Sequence, residues 1–226
     1  MIPRTLQARA VIPGTRQELH LYRRGEDYAI TIGGVDGELM NSRMHASEDA
    51  LAELGCAPIA GRPAPQVLIG GLGMGFTLAA ALRVLGPGAQ VTVAELVPEV
   101  AEWNRGDLGA CAGRPLDDPR AAVVVGDVSA QIRAGAGRLD AVLLDVDNGP
   151  GGLTSESNSW LYSAAGLKAA ARALRPGGAL AVWSAHAAPA FAARFQAAGF
   201  GVQAHRVRER PGKGAVHTVW VGVRGG

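Results

Sequence analysis

The chain is short of lysine and cysteine, and it has no long apolar run. Lys168 and Lys213 are its only lysines. That bias toward arginine, with the many alanines, reads as the mark of a GC-rich genome rather than as chemistry. Basic and acidic residues nearly balance, leaving a net charge of +2 at pH 7. So small an excess gives no bulk attraction to nucleic acid or to an anionic membrane. The two cysteines, Cys56 and Cys111, stand far apart and form neither a CxxC pair nor a disulfide framework. With the polar opening Met1-Ile-Pro-Arg in place of a signal peptide, they point to a reducing, cytoplasmic setting. Apolar runs are broken by Gly and Arg well short of the roughly 18 residues that a membrane span needs, so no membrane partner is expected. The 32 glycines and 13 prolines follow no period, which excludes a collagen-like chain. What is present is 226 residues that are 48% hydrophobic and 19% charged, enough for one well-packed domain with a small appendage.

The first 65 residues differ from the rest. Gln17–Arg23 and Asp27–Ile32 alternate apolar and polar residues, as half-buried strands do. Arg24-Gly25-Glu26 suits a hairpin turn between them, and Glu38–Asn41 follows as a third short strand. Ser47–Leu54 reads as a helix, capped by Ser47 and ended by Gly55. Ala57–Pro65, with three prolines, reads as a linker. The expected division is a small β-rich unit over residues 1–65 and a larger domain over 66–226.

From Gln66 onward, strands alternate with helices. The strands are continuous apolar runs at Val67–Gly70, Gln90–Ala94, Ala121–Val125, Leu139–Leu144 and Ala179–Ser184. Helical stretches cover Phe76–Leu85, Pro98–Gly106, Ser129–Ala134, Trp160–Leu174 and Pro189–Ala198. This rhythm means a parallel sheet covered on both faces. Gly201–Arg210 and Ala215–Val223 break it, because the four residues between them are too few for a parallel crossover. They form an antiparallel hairpin.

The first of these strands runs into Gly70-Gly71-Leu72-Gly73-Met74-Gly75 and then a helix. Glycines there let the backbone turn tightly and approach a ligand, with a helix N-terminus facing it. Glu95 ends the next strand, 20 residues beyond Gly75. A carboxylate at that point can accept both ribose hydroxyls of an adenosine ligand. A dinucleotide fingerprint starting at Gly71 needs a glycine at position 76, which is Phe76, and a P-loop needs a lysine that is missing. Gly126-Asp127 ends the third strand, placing a carboxylate where an adenine amino group can be read. Leu139–Asp145 delivers Asp145 to the ligand edge, and Leu174-Arg175-Pro176-Gly177-Gly178 turns from a helix into the fifth strand.

Together, over residues 66–223, the GxGxG turn, the acidic end of strand two, the GD pair, the LRPGG turn and the terminal hairpin resemble class I S-adenosylmethionine-dependent methyltransferases. The β-rich first unit, the helix containing Glu48, and the loop Asp145–Pro150 followed by Leu161-Tyr162 are similar to the spermidine synthase (aminopropyltransferase) family. The resemblance implies a Rossmann-like α/β fold with a mostly parallel seven-stranded sheet. It implies S-adenosylmethionine, or its decarboxylated form, as the bound cofactor, with no metal. Gly70, Gly71, Leu72, Gly73, Met74 and Gly75 would line the ligand, Glu95 and Leu96 the ribose, and Gly126, Asp127 and Val128 the adenine. Asp145 would stand at the reaction centre. His45, Glu48 and Tyr162 would face the substrate, and the molecule would be a homodimer.

Two diagnostic carboxylates of that family are altered. Its glycine-rich turn usually reads GGGDGG, whose Asp holds the ammonium of decarboxylated S-adenosylmethionine; that position is Met74 here, which cannot stabilise a desolvated ammonium. Its catalytic loop usually reads DSSDP, where this chain has Asp145-Val146-Asp147-Asn148-Gly149-Pro150. Without a gap, Asn148 takes the second acidic position and cannot accept a proton. With a one-residue shift, Asp147 substitutes. The first reading is therefore methyl transfer to a small, amine-bearing acceptor. The alternatives are aminopropyl transfer and a non-catalytic adenosine-binding dimer module. An NAD dehydrogenase is opposed by Phe76 and the terminal hairpin.

Asp145 and Asp147 share one side of an extended backbone, but no third ligand for a metal is evident. His186, just after the fifth strand, is a candidate base. Asn148–Ser159 reads as a lid over the substrate. Trp160, Tyr162 and Trp183 shape either an aromatic pocket or core, and His20, His205 and His217 read as structural. Arg206, Arg208 and Arg210 share one face of a strand and read as a solvated or dimer-rim face, with no nucleic-acid partner expected.

Overall fold

The computed structural model describes residues 3–146, 149–151, 159–210 and 213–225. Asp147, Asn148 and nearly all of the expected lid lie outside the described residues. The chain begins with a four-stranded antiparallel sheet in the order β1 (Thr5–Val11), β2 (Glu18–Arg24), β3 (Asp27–Ile32) and β4 (Met40–Asn41). Sequence reading foresaw the last three and missed β1. That strand is an edge with one buried residue, Ala10, and a register break between Leu6 and Ala8, so its apolar pattern is faint.

The seven-stranded sheet has the order β10-β11-β9-β8-β5-β6-β7. Its parallel strands are β5 (Gln66–Gly70), β6 (Gln90–Glu95), β7 (Ala121–Val125), β8 (Leu139–Leu144) and β9 (Leu174–Ser184). β10 (Phe200–Arg210) and β11 (Lys213–Arg224) are antiparallel, as expected for the terminal hairpin. The helices are α1 (Ala46–Cys56), α2 (Phe76–Val84), α3 (Pro98–Arg105), α4 (Val128–Ala134), α5 (Ala164–Ala173) and α6 (Pro189–Ala197). This is the Rossmann-like methyltransferase architecture with an N-terminal β unit. Among the described residues, no helix is long and apolar enough to cross a membrane, and both cysteines are free thiols.

Strand alternation divides the core. Val67, Ile69, Ala141 and Leu143 face α1 and α2, whereas Leu68, Val142 and Leu144 face α4, α5 and α6. Ala10, Leu19, Leu21, Tyr28 and Ile30 of the four-stranded sheet join the first of these cores, so both sheets bury their apolar faces in one continuous interior.

Three local readings are corrected. α1 starts at Ala46 with His45 at its N-cap, and the Ser47 hydroxyl donates to Glu48 Oε2 at 2.6 Å instead of capping. Gly55 does not end α1. It lies inside the helix because a Cβ there would run into Leu143 and Ala181, so the glycine serves close helix–sheet packing. α5 begins at Ala164, with Ser163 Oγ accepting from the Gly166 N–H at 3.1 Å, and Leu174–Gly178 is an irregular first stretch of β9 rather than a free turn.

The expected linker is pinned down. Arg62 donates to Asp140 and, at 2.8 Å, to the Pro176 carbonyl. Asp140, 1% exposed on β8, also accepts from the Gln66 N–H at 2.6 Å and from Arg175 at 2.7 Å. Burial alone would raise its pKa, but these donors more than offset that and hold the carboxyl below its usual range.

Candidate functional site

The carboxyl ends of β5, β6, β7 and β8 open into a cavity of about 630 Å³. Chain geometry at its floor comes from the glycine-rich turn. Gly71, Gly73 and Gly75 have φ of +87°, +53° and +85°, in the left-handed region that favours glycine. A Cβ on Gly71 would sit 2.5 Å from the Asp145 carbonyl oxygen, so the turn can lie against the end of β8 only without a side chain.

Gly71, Gly73, Glu95, Leu96, Gly126, Asp127, Val128 and Asp145 all line this cavity. Glu95 is 7% exposed, and its two oxygens accept from the Leu72 and Val97 N–H groups, both at 2.8 Å. Burial raises its pKa while those N–H groups oppose the rise. These backbone donors lock the rotamer of the carboxyl at the cavity's edge. Asp127 caps α4, with Oδ1 accepting from the Ser129 N–H at 2.7 Å. The opposite wall comes from the N-terminal unit, through Leu19, Ile30, Ile32 and Met40 of its sheet and Ile12 and Leu39 of its turns. Sequence reading did not foresee this roof, because nothing local says which face of an N-terminal strand meets a distant turn.

A second, smaller chamber of about 120 Å³ adjoins the first. Leu39, Met40, Gly73 and Asp145 line both. Glu48, Asn41, Leu72, Met74, Phe76 and Trp183 complete the smaller one. Glu48 reaches it because α1 packs beside α2 on the large sheet. Burial is the first cause that pushes Glu48 up to about 7, and the nearby Asp145 charge is the second. Burial likewise pushes Asp145 up to about 6, opposed by a hydrogen bond from Thr77 Oγ1 to Asp145 Oδ2 at 2.6 Å. Thr77 was not foreseen; a lone buried hydroxyl in the apolar run Phe76–Leu82 was the available signal.

Among the described residues, the remaining expected positions lie outside both linings. Gly70 and Gly75 shape the turn without lining either space. Gly75 instead abuts Asn104 and Pro115. His45 pairs through Nδ1 with Asp49 at 2.9 Å and stacks on Phe76 with ring centroids 4.2 Å apart, so it supports the chamber wall from behind. Tyr162 is buried and donates to the Val146 carbonyl at 3.0 Å, bracing the backbone just after Asp145. His186 is exposed, its carbonyl accepting from Ser184 Oγ at 2.6 Å. Among the described residues, no group of three or more His, Cys, Asp or Glu side chains is arranged to hold a metal.

No protein-family model and no curated protein sequence matches the chain. Solved structures do. A spermidine synthase in complex with the transition-state analogue AdoDATO superposes with a TM-score of 0.71 at 17% identity, over 97% of this chain and 72% of that one. Spermidine synthase from Thermotoga maritima gives a TM-score of 0.71 at 16% identity, with the same coverage. Over nearly its whole length, the chain has the spermidine-synthase-like form of the class I methyltransferase fold.

Proposed function

We propose that the chain is a transferase that binds S-adenosylmethionine or its decarboxylated form in the larger cavity and alkylates a small, amine-bearing acceptor in the smaller one. The observation that carries this reading is Asp145, which lines both spaces. The residues of the larger cavity fit an adenosine ligand. Glu95 offers acceptor lone pairs to ribose hydroxyls, Asp127 offers an acceptor to an amino group, and Gly71 and Gly73 leave the backbone bare for close approach. Such a donor supplies an activated sulfonium whose carbon is open to in-line attack. The chain's own task is to orient the two partners and to take a proton from the acceptor's ammonium, so that the free amine attacks the carbon as its bond to sulfur breaks. Asp145, with its pKa lifted toward neutrality, suits that transfer.

Methyl transfer is the first reading, because Met74 stands where the aminopropyltransferase pattern has an acid. Aminopropyl transfer keeps one specific support, the Glu48 carboxyl beside Asp145, which offers a counter-charge for an ammonium group.

Calorimetric titration with S-adenosylmethionine, then with its decarboxylated form, separates the two. Tighter binding of the carboxylated donor supports methyl transfer. Tighter binding of the decarboxylated donor supports aminopropyl transfer. Binding of neither overturns the adenosine site.

A further inference from the structure

The smaller chamber constrains the acceptor beyond its being an amine, and this inference rests on the transferase reading above. Among the described residues, the chamber's charged groups are Glu48 and Asp145. The rest of its lining is Leu39, Met40, Leu72, Met74, Phe76 and Trp183, with the Asn41 amide as a neutral polar group. Met74 lines the chamber, and the wall it forms there is apolar and uncharged. An ammonium against that wall would be desolvated with no counter-ion, which is strongly unfavourable. The two carboxyls feel each other's charge through a low-dielectric interior. The aromatic rings of Phe76 and Trp183 attract an alkylammonium while tolerating its carbon body. Size sets a further limit. The chamber is small, about 120 Å³, which favours a compact acceptor.

We propose that the acceptor is a compact monoamine, with a single ammonium held by Glu48 and Asp145 and an apolar body against Met74, Phe76 and Trp183. A diamine of the same length is disfavoured, because its second charge meets the Met74 wall.

The test is calorimetric titration of the full chain with n-butylamine, 1,4-diaminobutane and n-butanol, each with and without saturating S-adenosylhomocysteine. The expected result is that n-butylamine binds at least tenfold tighter than either of the others. Met74→Asp should reverse the preference toward the diamine by giving the second ammonium a partner. Because that variant buries a new charge and can fail to fold, Glu48→Gln provides a second check. It should remove most of the preference for n-butylamine over n-butanol, with its circular dichroism unchanged. Equal or tighter binding of the diamine by the unmodified chain overturns the proposal. So does a Glu48→Gln variant that still prefers n-butylamine undiminished. Absence of S-adenosylhomocysteine binding is a separate outcome that removes the transferase reading, while the titrations without it still decide whether the chamber selects a monoamine.

Discussion

Asp140 and Asp145 belong to one stretch of chain, at opposite ends of strand β8, and the protein treats them in opposite ways. Asp140, at the amino end, is surrounded by donors: the Arg62 and Arg175 side chains and the Gln66 N–H. Asp145, just past the carboxyl end, receives the Thr77 hydroxyl and lies buried beside Glu48 in the smaller chamber. One carboxyl is held below its usual pKa and the other is raised to about 6. A buried carboxylate is costly unless it is paired, so full pairing marks a clamp, and incomplete pairing keeps a group ready for a ligand or a proton. The parallel sheet explains the placement, since every strand of such a sheet points its carboxyl end at the same edge, where ligands bind.

The contrast can be broken most severely at Asp145. Asp145→Asn is expected to cut turnover by at least about tenfold, with donor affinity changed less than threefold, as measured by steady-state kinetics beside calorimetry. An unchanged rate would remove Asp145 from the chemistry.

Asp140→Asn should show the converse: donor binding intact, but folding stability reduced by roughly 2–4 kcal/mol. The partly exposed arginines place this toward the lower part of the range for breaking a buried pair. The sign follows from the lowered pKa. Asp140 contributes stability above its unfolded value of 3.8, and that stability is lost as pH falls through the folded pKa. Urea melts should therefore show the deficit in full at pH 7 and shrinking toward pH 3. A deficit that does not depend on pH would mean packing, rather than charge, holds this corner.

Thr77→Val tests how the pair around Asp145 is set. Loss of the donor should move the Asp145 titration, and the acid limb of kcat/KM, upward by roughly half a pH unit to one unit. Thr77→Ser should restore both. Carbon-13 titration of the Asp145 carboxyl reads the shift independently of turnover, and no shift there would assign Thr77 to packing alone.

At Glu48 the expected effect is on stability. Its carboxyl, raised from 4.5 to about 7, holds a proton in the folded state that it loses on unfolding. The stability this contributes is complete below pH 4.5 and is lost as pH rises to about 7. Glu48→Gln should therefore melt with the parent chain at pH 4 and a few degrees above it at pH 8. A variant that is less stable at both pH values would contradict the strain assigned to this carboxyl.

Much of the molecule was legible from residue order, because the signals involved are local. Continuous apolar runs separated by helical stretches specify a parallel sheet. A four-residue gap specifies the terminal hairpin. The glycine turn, Glu95, Asp127 and Asp145 each stand at a strand end whose direction the pattern already fixes. Gly55 was misread because a glycine near a helix end looks the same whether it caps the helix or makes room for Leu143 and Ala181.

Other features appeared only when distant segments met. The β1–β4 sheet roofs the larger cavity, α1 brings Glu48 to Asp145's chamber, and Thr77 reaches the Asp145 carboxyl across the turn. Read along the chain, Asp140 and Asp145 are two aspartates at the ends of one strand. Which of them is clamped and which is left poised depends on partners far away in sequence. Burial and charge act through space, and only the folded chain sets those distances.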